Sequence, residues 1–330
     1  MSTPWPPGFR RIPQEPWVRR PLDELARGYD TVEHHGWYRN LEPTLATLSG
    51  RIEDGRIVMD YSGGTGILAQ KLLERLPGCS FGVLIVDSSP KFLRLAVEKL
   101  GASERVAFRL IRYLKEEKRL QLIDEVIEPV LRERRVDILV STNAIHLYYE
   151  LPRTLSSWRQ ILADDGWLHV QSGNIRNPDA PEGEWIIDET VEAIHAAGME
   201  IVRREDRFSA FRPVLDDPGR MRLHDALRRK YFLPVRPLDY YETALRDAGF
   251  SHIEASRVTI DARVNEWRDF LSVYHDGVLG WAGGTRKIEG RQPAPEVIDA
   301  RLALLAAAME QVFAGRETFA ASWTYLDARP

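Results

Sequence analysis

Residues 56–66 read RIVMDYSGGTG. Ile57, Val58 and Met59 run into Asp60, and glycines follow at 63, 64 and 66. An unbroken apolar run this short is what a strand buried on both faces requires. Asp54-Gly55 before it is a turn signal. After the glycines, ILAQKLLERL places Leu68, Leu72, Leu73 and Leu76 at helical spacing and ends at Pro77-Gly78. A glycine-rich turn between a buried strand and a helix lets a ligand approach the backbone with no Cβ in the way.

Working outward, the same unit repeats. SFGVLIVD (80–87) is a second buried strand. SSPKFLRLAVEKLG is a helix that Ser88 or Ser89 can cap, with Pro90 suited to its first turn and Gly101 to its end. RVAFRLI (105–111) is a third strand. Leu120, Ile123, Ile127 and Val130 predict a long amphipathic helix that Pro129 must kink or limit. VDILVS (136–141) is a fourth strand, LPRTLSSWRQIL a helix, ADDG a turn and WLHVQS (167–172) a fifth strand. Five strand–helix alternations predict an α/β, doubly wound, mainly parallel sheet covered on both faces. Ligands in such sheets bind at the carboxyl ends of the strands.

The rest of the chain reads differently. Residues 176–249 form a helical insertion, and FSHIEASRVTID (250–261) is a strand. Residues 264–317 are helical again, split by DGVLGWAGGTRKIEG, and the chain ends on a strand at 318–326. The N-terminal 1–54 holds a proline-rich arm, with six prolines and two tryptophans in residues 1–21, followed by helical segments. Such an arm favours extended structure, and Trp5 and Trp17 favour one that docks. The expected organisation is thus 1–54 arm and lid, 55–175 core, 176–249 cap insertion, and 250–330 a closing strand pair carrying the insertion 264–317.

Composition excludes several classes. The 330 residues carry 45 basic and 49 acidic side chains, a net charge of −4, which argues against a phosphate-backbone binder. The single cysteine, Cys79, excludes an internal disulfide and disfavours a thiolate metal site. No third ligand stands at a suitable spacing from His34-His35, so no metal is expected. No apolar run approaches a membrane span, and the N-terminus does not read as a signal peptide. The expectation is a cytoplasmic protein with no nucleic-acid or membrane partner. RMRLHDALRRKYF (220–232), with six basic residues counting His224, reads as a solvated helix face or a surface for an anionic substrate.

Two ligand classes use a turn such as 62–66. A dinucleotide sets its pyrophosphate over the helix N-terminus, and Gly64, Gly66 and Ala69, with Asp87 further on, fit a loose G-x-G-x-x-A pattern. S-adenosylmethionine has no phosphate and lays its amino-acid part and ribose across the turn. Asp60 discriminates, because a carboxylate beside the turn repels a pyrophosphate and suits an ammonium and a sulfonium.

Four stretches carry a resemblance. VMDYSGGTGILA resembles the first motif of class I S-adenosylmethionine-dependent methyltransferases, an acid followed by x-G-x-G-x-G. VLIVDSSPKFLRLAVEKL resembles the second-strand motif, VDILVSTNAIHLYYE the fourth-strand motif, and LSSWRQILADDGWLHVQ the passage into the fifth strand. The resemblance covers about residues 55–330. It implies a seven-stranded sheet with an antiparallel last strand, and helical caps like those of trans-aconitate-type and ubiquinone-type small-molecule methyltransferases. It implies cofactor contacts at Asp60, Ser62, Gly63, Gly64, Gly66, Asp87 (to the ribose), Ser88, Thr142 and Asn143, and at Tyr29 of the lid. The chain departs twice from the pattern. Ser62 stands where the family has its first glycine, with Gly63 in the neighbouring variable position. The third strand runs into LIRYLKE without the usual acid, which leaves adenine to the backbone of Arg112 and Tyr113 or to stacking on Tyr113.

Each assignment has a plainer alternative. Asp60 can cap the next helix, and Asp87 can be the N-cap of helix 90–100. His146, just past strand four, can take a proton from a nucleophile as a catalytic base, or be structural. Trp37, Tyr38, Tyr148, Trp185, Tyr231 and Phe232 can wall a chamber built by the lid and both insertions, with the glycines of 277–284 as a hinge. The reading is methyl transfer to an O, N or C nucleophile of a small, anionic or aromatic molecule, with S-adenosylhomocysteine as product. The alternatives are an NAD(P)-dependent oxidoreductase and a non-catalytic binding protein on the same fold.

Overall fold

A computed structural model describes residues 4–330. Seven strands form one sheet: β1 (Ile57–Tyr61), β2 (Gly82–Asp87), β3 (Val106–Leu110), β4 (Val136–Thr142), β5 (Leu162–Ser172), β6 (Ser251–Arg263) and β7 (Thr318–Arg329). Their spatial order is β3-β2-β1-β4-β5-β7-β6. β1 to β5 are mutually parallel, and β7 runs antiparallel to both β5 and β6. This is the expected doubly wound sheet with an antiparallel last strand. β1 and β2 are buried along their whole length, because helices cover both faces.

Paired residues in a ladder share a face, and successive residues alternate. Asp60 pairs with Ile85 and Val140, and Val140 with His169. His169 pairs with Asp327, and Gln171 with Tyr325. Asp60, Asp87, Thr142, His169, Gln171 and Tyr325 therefore line one face. The helix α1 (Leu41–Ser49) packs on that face, where Thr44 Oγ1 lies 2.9 Å from His169 Nε2. The helix α2 (Ile67–Arg75) covers it too, through Ile67, Leu68 and Leu72. The opposite face is closed by α4 (Leu151–Ile161) and α7 (Leu238–Asp247), while α3 (Pro90–Leu100) packs on the Asp60 face against β2 and β3 through Leu93, Ala96 and Leu100.

The N-terminal arm docks. Trp5 and Trp17 are buried, and Trp5 packs so close to Gly82 that a Cβ there would lie 3.0 Å from the indole. The arm covers the free edge of β3: the Phe108 amide donates to the Arg11 carbonyl at 3.0 Å. Arg109, 3% exposed, donates to the carbonyls of Arg10 and Arg11 and to Glu128, with its guanidinium 4.5 Å over the Phe9 ring. An edge strand is thereby shielded from other chains.

Three expectations are corrected. The long amphipathic helix after β3 is instead a hairpin pairing Tyr113–Leu114 with Arg119–Leu120, a 3₁₀ turn at Ile123–Glu125 and a short helix at Pro129–Arg134. Pro129 sits in the first turn of that helix, where its missing N–H costs nothing, and so starts a helix where the spacing predicts the middle of one. The ADDG turn lies inside the extended span of β5. It bulges out between the pairs Val136–Leu162 and Ile138–Trp167. The glycines of 277–284 are no hinge. Arg301, fully buried, donates to the carbonyls of Ala282 and Gly284 and to Asp276. A Cβ at Gly277, Gly280, Gly283 or Gly284 would lie within 3 Å of packed atoms, so these residues are glycine for close packing.

The two insertions pack on each other. The helix α5 (Ile187–Arg204) of the first meets the helix α8 (Pro295–Phe313) of the second. The basic stretch 220–232 falls on the helix α6 (Pro218–Tyr231), where Arg220 pairs with Glu289 and Arg228 with Glu192 and Asp225. Those charges are spent within the chain. Arg109→Met should free the arm from β3 at a cost of about 1–3 kcal/mol for the lost charge-assisted bonds. Limited proteolysis checks this: cleavage within residues 4–21 should accelerate while the remainder stays folded.

Candidate active site

The turn after β1 is built by its own side chains. Ser62, Gly64 and Gly66 adopt left-handed backbone, with φ of 64°, 56° and 81°. Ser62 takes the strained position without a glycine, and its Oγ lies 2.8 Å from the Tyr148 hydroxyl, which also contacts Ser141 Oγ at 3.1 Å. The departure at Ser62 therefore preserves the turn. Gly63 leaves room for the acid: a Cβ there would sit 2.5 Å from Asp60 Oδ2, so a larger residue must displace that carboxylate. The Asp60 carboxylate lies directly over the turn. At Gly66 a Cβ would meet Leu100 and Ile85 at 2.9 and 3.1 Å, so that glycine lets α2 pack on the sheet.

Asp60 is fully buried, and neither of its carboxylate oxygens has a hydrogen-bond partner among the described residues. It does not cap α2, whose N-cap is Gly66. Burial, followed by the neighbouring charge of Asp87, pushes its pKa up to about 7. Asp87 is also buried, but it is partnered. Its Oδ2 accepts from the Gly64 amide at 2.9 Å and its Oδ1 from the Ser89 amide at 2.7 Å. Burial raises its pKa, and these backbone bonds oppose the rise. The helix cap of α3 is Ser89, whose Oγ accepts from the Phe92 amide, while Ser88 is exposed.

The lid lies over the carboxylates. Tyr29 stacks on Phe92 with ring centroids 4.8 Å apart. Phe92, beneath Tyr29, lies 4.0 Å from where a Cβ of Gly64 would stand, and burial, then Tyr29 and Asp60, raises the Tyr38 hydroxyl well above its ordinary value. Trp37 ties the lid to both insertions. It stacks on Trp323 and meets Trp267 and Phe270 edge-on, while Trp267 Nε1 donates to Thr190 and the Gly36 amide donates to Glu266.

The remaining predicted residues divide. Thr142 and Asn143 end β4 on the site side. Asn143 has a left-handed φ of 53°, and its Oδ1 accepts from Trp323 Nε1 at 2.9 Å. His146 is buried with both ring nitrogens engaged. Asn174 Nδ2 donates to Nε2 at 3.0 Å, so Nδ1 carries the proton toward Ser172 Oγ at 3.1 Å. Burial lowers its pKa to about 3, so the ring is neutral in any ordinary buffer. Arg112 bonds Gln121 through its amide and Glu15 through its guanidinium, and Tyr113 is 58% exposed in the hairpin. Those bonds run to the hairpin and the arm rather than to the turn. Sequence reasoning missed Asn40 and Gln171, both fully buried, whose side-chain amides have no partner. Nothing in the sequence singles them out, since Gln171 stands in a strand that also carries His169 and Ser172.

Residues 59–168 match the family model described as a methyltransferase domain. The match spans a third of the chain, from β1 into β5, and takes in the glycine turn, Asp60 and Asp87. Among curated proteins, the chain is 28% identical over 128 residues to a malonyl-[acyl-carrier protein] O-methyltransferase of Geobacter sulfurreducens, covering 39% of this chain and 42% of that one. It is 25% identical over 135 residues to a hybrid PKS-NRPS synthetase of Macrophomina phaseolina, covering 41% of this chain and 3% of that one. The chain thus spans less than half the length of either relative. Among solved structures, it is similar to phosphoethanolamine N-methyltransferase 2 of Haemonchus contortus, at 12% identity and a TM-score of 0.49, with 92% of this chain and 56% of that one covered. It is also similar to a methyltransferase of Geobacter sulfurreducens, at 12% identity and a TM-score of 0.47, with 92% and 98% covered.

Two outcomes test the geometry of this turn. Gly63→Ala should displace the Asp60 carboxylate and destabilise the fold by about 1–3 kcal/mol through overpacking, measured by urea unfolding. The pH dependence follows from Asp60. Its folded pKa, near 7, lies above the ordinary 3.8, so the folded chain holds an extra proton between those values. The stability conferred by that proton is present at low pH and is lost as pH rises toward 7. Asp60→Asn should flatten this part of the profile, seen by comparing unfolding midpoints of both proteins at pH 5 and pH 8.

Proposed function

We propose that the chain transfers a methyl group from S-adenosylmethionine to an O, N or C nucleophile of a small molecule, releasing S-adenosylhomocysteine. The observation that carries this reading is the buried, unpartnered carboxylate of Asp60 over a glycine turn. A buried carboxylate persists where a cation meets it, and S-adenosylmethionine brings an ammonium and a sulfonium. The two acids fit the group differently. Asp60 would hold its ammonium. Asp87, anchored by two backbone N–H groups and with lone pairs to spare, would accept from ribose hydroxyls. A nicotinamide dinucleotide would set a pyrophosphate beside Asp60 instead, which disfavours the oxidoreductase reading.

Bound at this turn, S-adenosylmethionine supplies an activated methyl group. The chain's own contribution is placement and exclusion of water. Ser62, held by Tyr148, fixes the turn. Tyr29 and Tyr38 close over it. Trp37, Trp267, Phe270 and Trp323 form an apolar wall that keeps water from an attacking nucleophile. His146 acts by positioning: its two bonds hold Ser172 and Asn174 at the end of β5. A base within the site is not needed where the nucleophile arrives already deprotonated, its proton having gone to solvent. The relatives named for O-methylation of a carrier-bound malonyl group and for N-methylation of phosphoethanolamine leave the accepting atom open, and they support only the reaction class.

Titration calorimetry tests the reading. S-adenosylhomocysteine should bind and NADH should not. Its affinity should rise with pH through about 7, because the ammonium binds ionised Asp60 and releases the proton. Repeating the titration in buffers of different ionisation enthalpy should reveal that release. Asp87→Ala should weaken binding by about 1.5–3 kcal/mol for each charge-assisted bond lost. Binding of NADH in place of S-adenosylhomocysteine would overturn the assignment.

A further inference from the structure

The face that carries Asp60 continues across β4 to β5 and β7, and its polar residues there form two rungs beneath the N-terminal chain. The lower rung is satisfied. His169 Nε2 lies 2.9 Å from Thr44 Oγ1, His169 Nδ1 lies 3.0 Å from Asp327 Oδ1, and Arg51 donates to Asp327. The upper rung, toward the carboxyl ends of the strands, is built from the next residues of the same elements. Gln171 lies two residues beyond His169 on β5, so it points to the same face. Asn40 precedes Thr44 by four residues, one helical turn. The Tyr325 hydroxyl joins them: Tyr325 pairs with Gln171 across the β5–β7 ladder and donates to the Asn40 carbonyl at 2.7 Å.

In this rung the two amide side chains bond to nothing among the described residues. All four amide atoms, Asn40 Oδ1 and Nδ2 and Gln171 Oε1 and Nε2, are buried and have no hydrogen-bond partner among the described residues, and both residues are 0% exposed. Two buried, unsatisfied primary amides are costly, and an apolar pair of similar shape would avoid the cost. Their place explains the retention. Gln171 pairs with Thr142 at the end of β4, and Val140, two residues earlier, pairs with Asp60. Two strand spacings and one pleat separate Gln171 from Asp60, about 12 Å between Cα atoms. That is the span over which a small molecule would meet a cofactor held at Asp60.

We infer that Asn40 and Gln171 form a substrate-positioning pair that grips a neutral group able both to donate and to accept hydrogen bonds, such as a carboxamide or a phenolic hydroxyl. The inference rests on the methyl-transfer reading above. The pair offers N–H donors and carbonyl acceptors in equal measure and carries no formal charge. A carboxylate or phosphate in the same place would satisfy N–H donors of the two NH2 groups but leave both carbonyls facing an anion, and its charge would be buried with no counter-ion. This narrows the expected substrate from anionic or aromatic to neutral and polar at the gripped end. The aromatic wall of Trp37 and Trp323 beside the rung suits a planar body attached to that group.

The test uses the full chain saturated with S-adenosylhomocysteine, three probes (benzamide, phenol and benzoate) and the variants Asn40→Leu and Gln171→Met. Ligand-detected NMR should show benzamide and phenol binding to the wild type, with benzoate at least tenfold weaker. Each variant should bind benzamide at least tenfold more weakly. Each should keep its S-adenosylhomocysteine affinity within about twofold, and its ligand-free melting temperature should be unchanged or raised, because a costly buried amide is gone. Benzoate binding as well as benzamide, unchanged benzamide affinity in both variants, or no probe binding to a wild type that holds S-adenosylhomocysteine would overturn the inference. So would a lowered melting temperature together with lost S-adenosylhomocysteine affinity, which marks a purely structural role. A wild type that fails to bind S-adenosylhomocysteine counts instead against the methyl-transfer reading.

Discussion

A carboxylate in a protein interior needs a cation or a set of N–H groups, and Asp60 has neither among the described residues. Much of the architecture can be traced to that side chain. It ends β1 on the face covered by α1 and α2. Its oxygens fill the space where a Cβ of residue 63 would stand, so the turn must have glycine there. The next acid, Asp87, sits one strand over and takes the backbone N–H of Gly64, while the Ser62 and Gly63 amides donate to the Val86 carbonyl, so none of these N–H groups reaches Asp60. One acid builds the turn, and the other is left without a hydrogen-bond partner among the described residues. Their proximity raises the cost of ionising Asp60 in the ligand-free chain, and that cost becomes pH-dependent affinity when a cation arrives.

The lid and insertions answer a second constraint. A site that handles a reactive methyl donor gains from excluding water, and a Rossmann-like sheet alone leaves the ends of its strands open. Here the closure runs through Trp37, which touches residues of β7 and of the helix Val264–Val273. Because α5 and α8 pack on each other, and Trp267 bonds Thr190 on α5, movement of the lid is mechanically linked to both insertions. The glycines at 277–284 are held in this block by Arg301, which bonds the carbonyls of Ala282 and Gly284.

The sheet was legible because its signals are local. Apolar runs of strand length, glycine turns and Ser89-Pro90 leave few alternatives, and the closing pair 250–261 and 318–326 was readable from the same pattern. The acids Asp60 and Asp87 were legible as a pair with opposite surroundings only in part. That Asp87 is spent on backbone amides depends on where the Gly64 N–H points, which no spacing encodes. Gly63 looked like a variable position and proves the most restricted, because its constraint comes from a side chain three residues earlier folding back over it. The segment after Leu110 misled because apolar residues at helical spacing were split by a hairpin and by Pro129 at a helix start. The glycines at 277–284 misled because flexibility and tight packing call for the same residue. Asn40 and Gln171 were invisible, since their significance lies in bonds they do not make.

The central claim is that Asp60 waits, unpaired, for a cation. Carbon-13 NMR titration of the Asp60 carboxyl, assigned by comparison with Asp60→Asn, measures this directly in the ligand-free protein and in its S-adenosylhomocysteine complex. The account predicts a midpoint near pH 7 in the free protein, falling into or below the ordinary carboxylate range when the ligand's ammonium is bound. An Asp60 that already titrates near its ordinary value of 3.8 in the free protein, with no change on addition of S-adenosylhomocysteine, would contradict it.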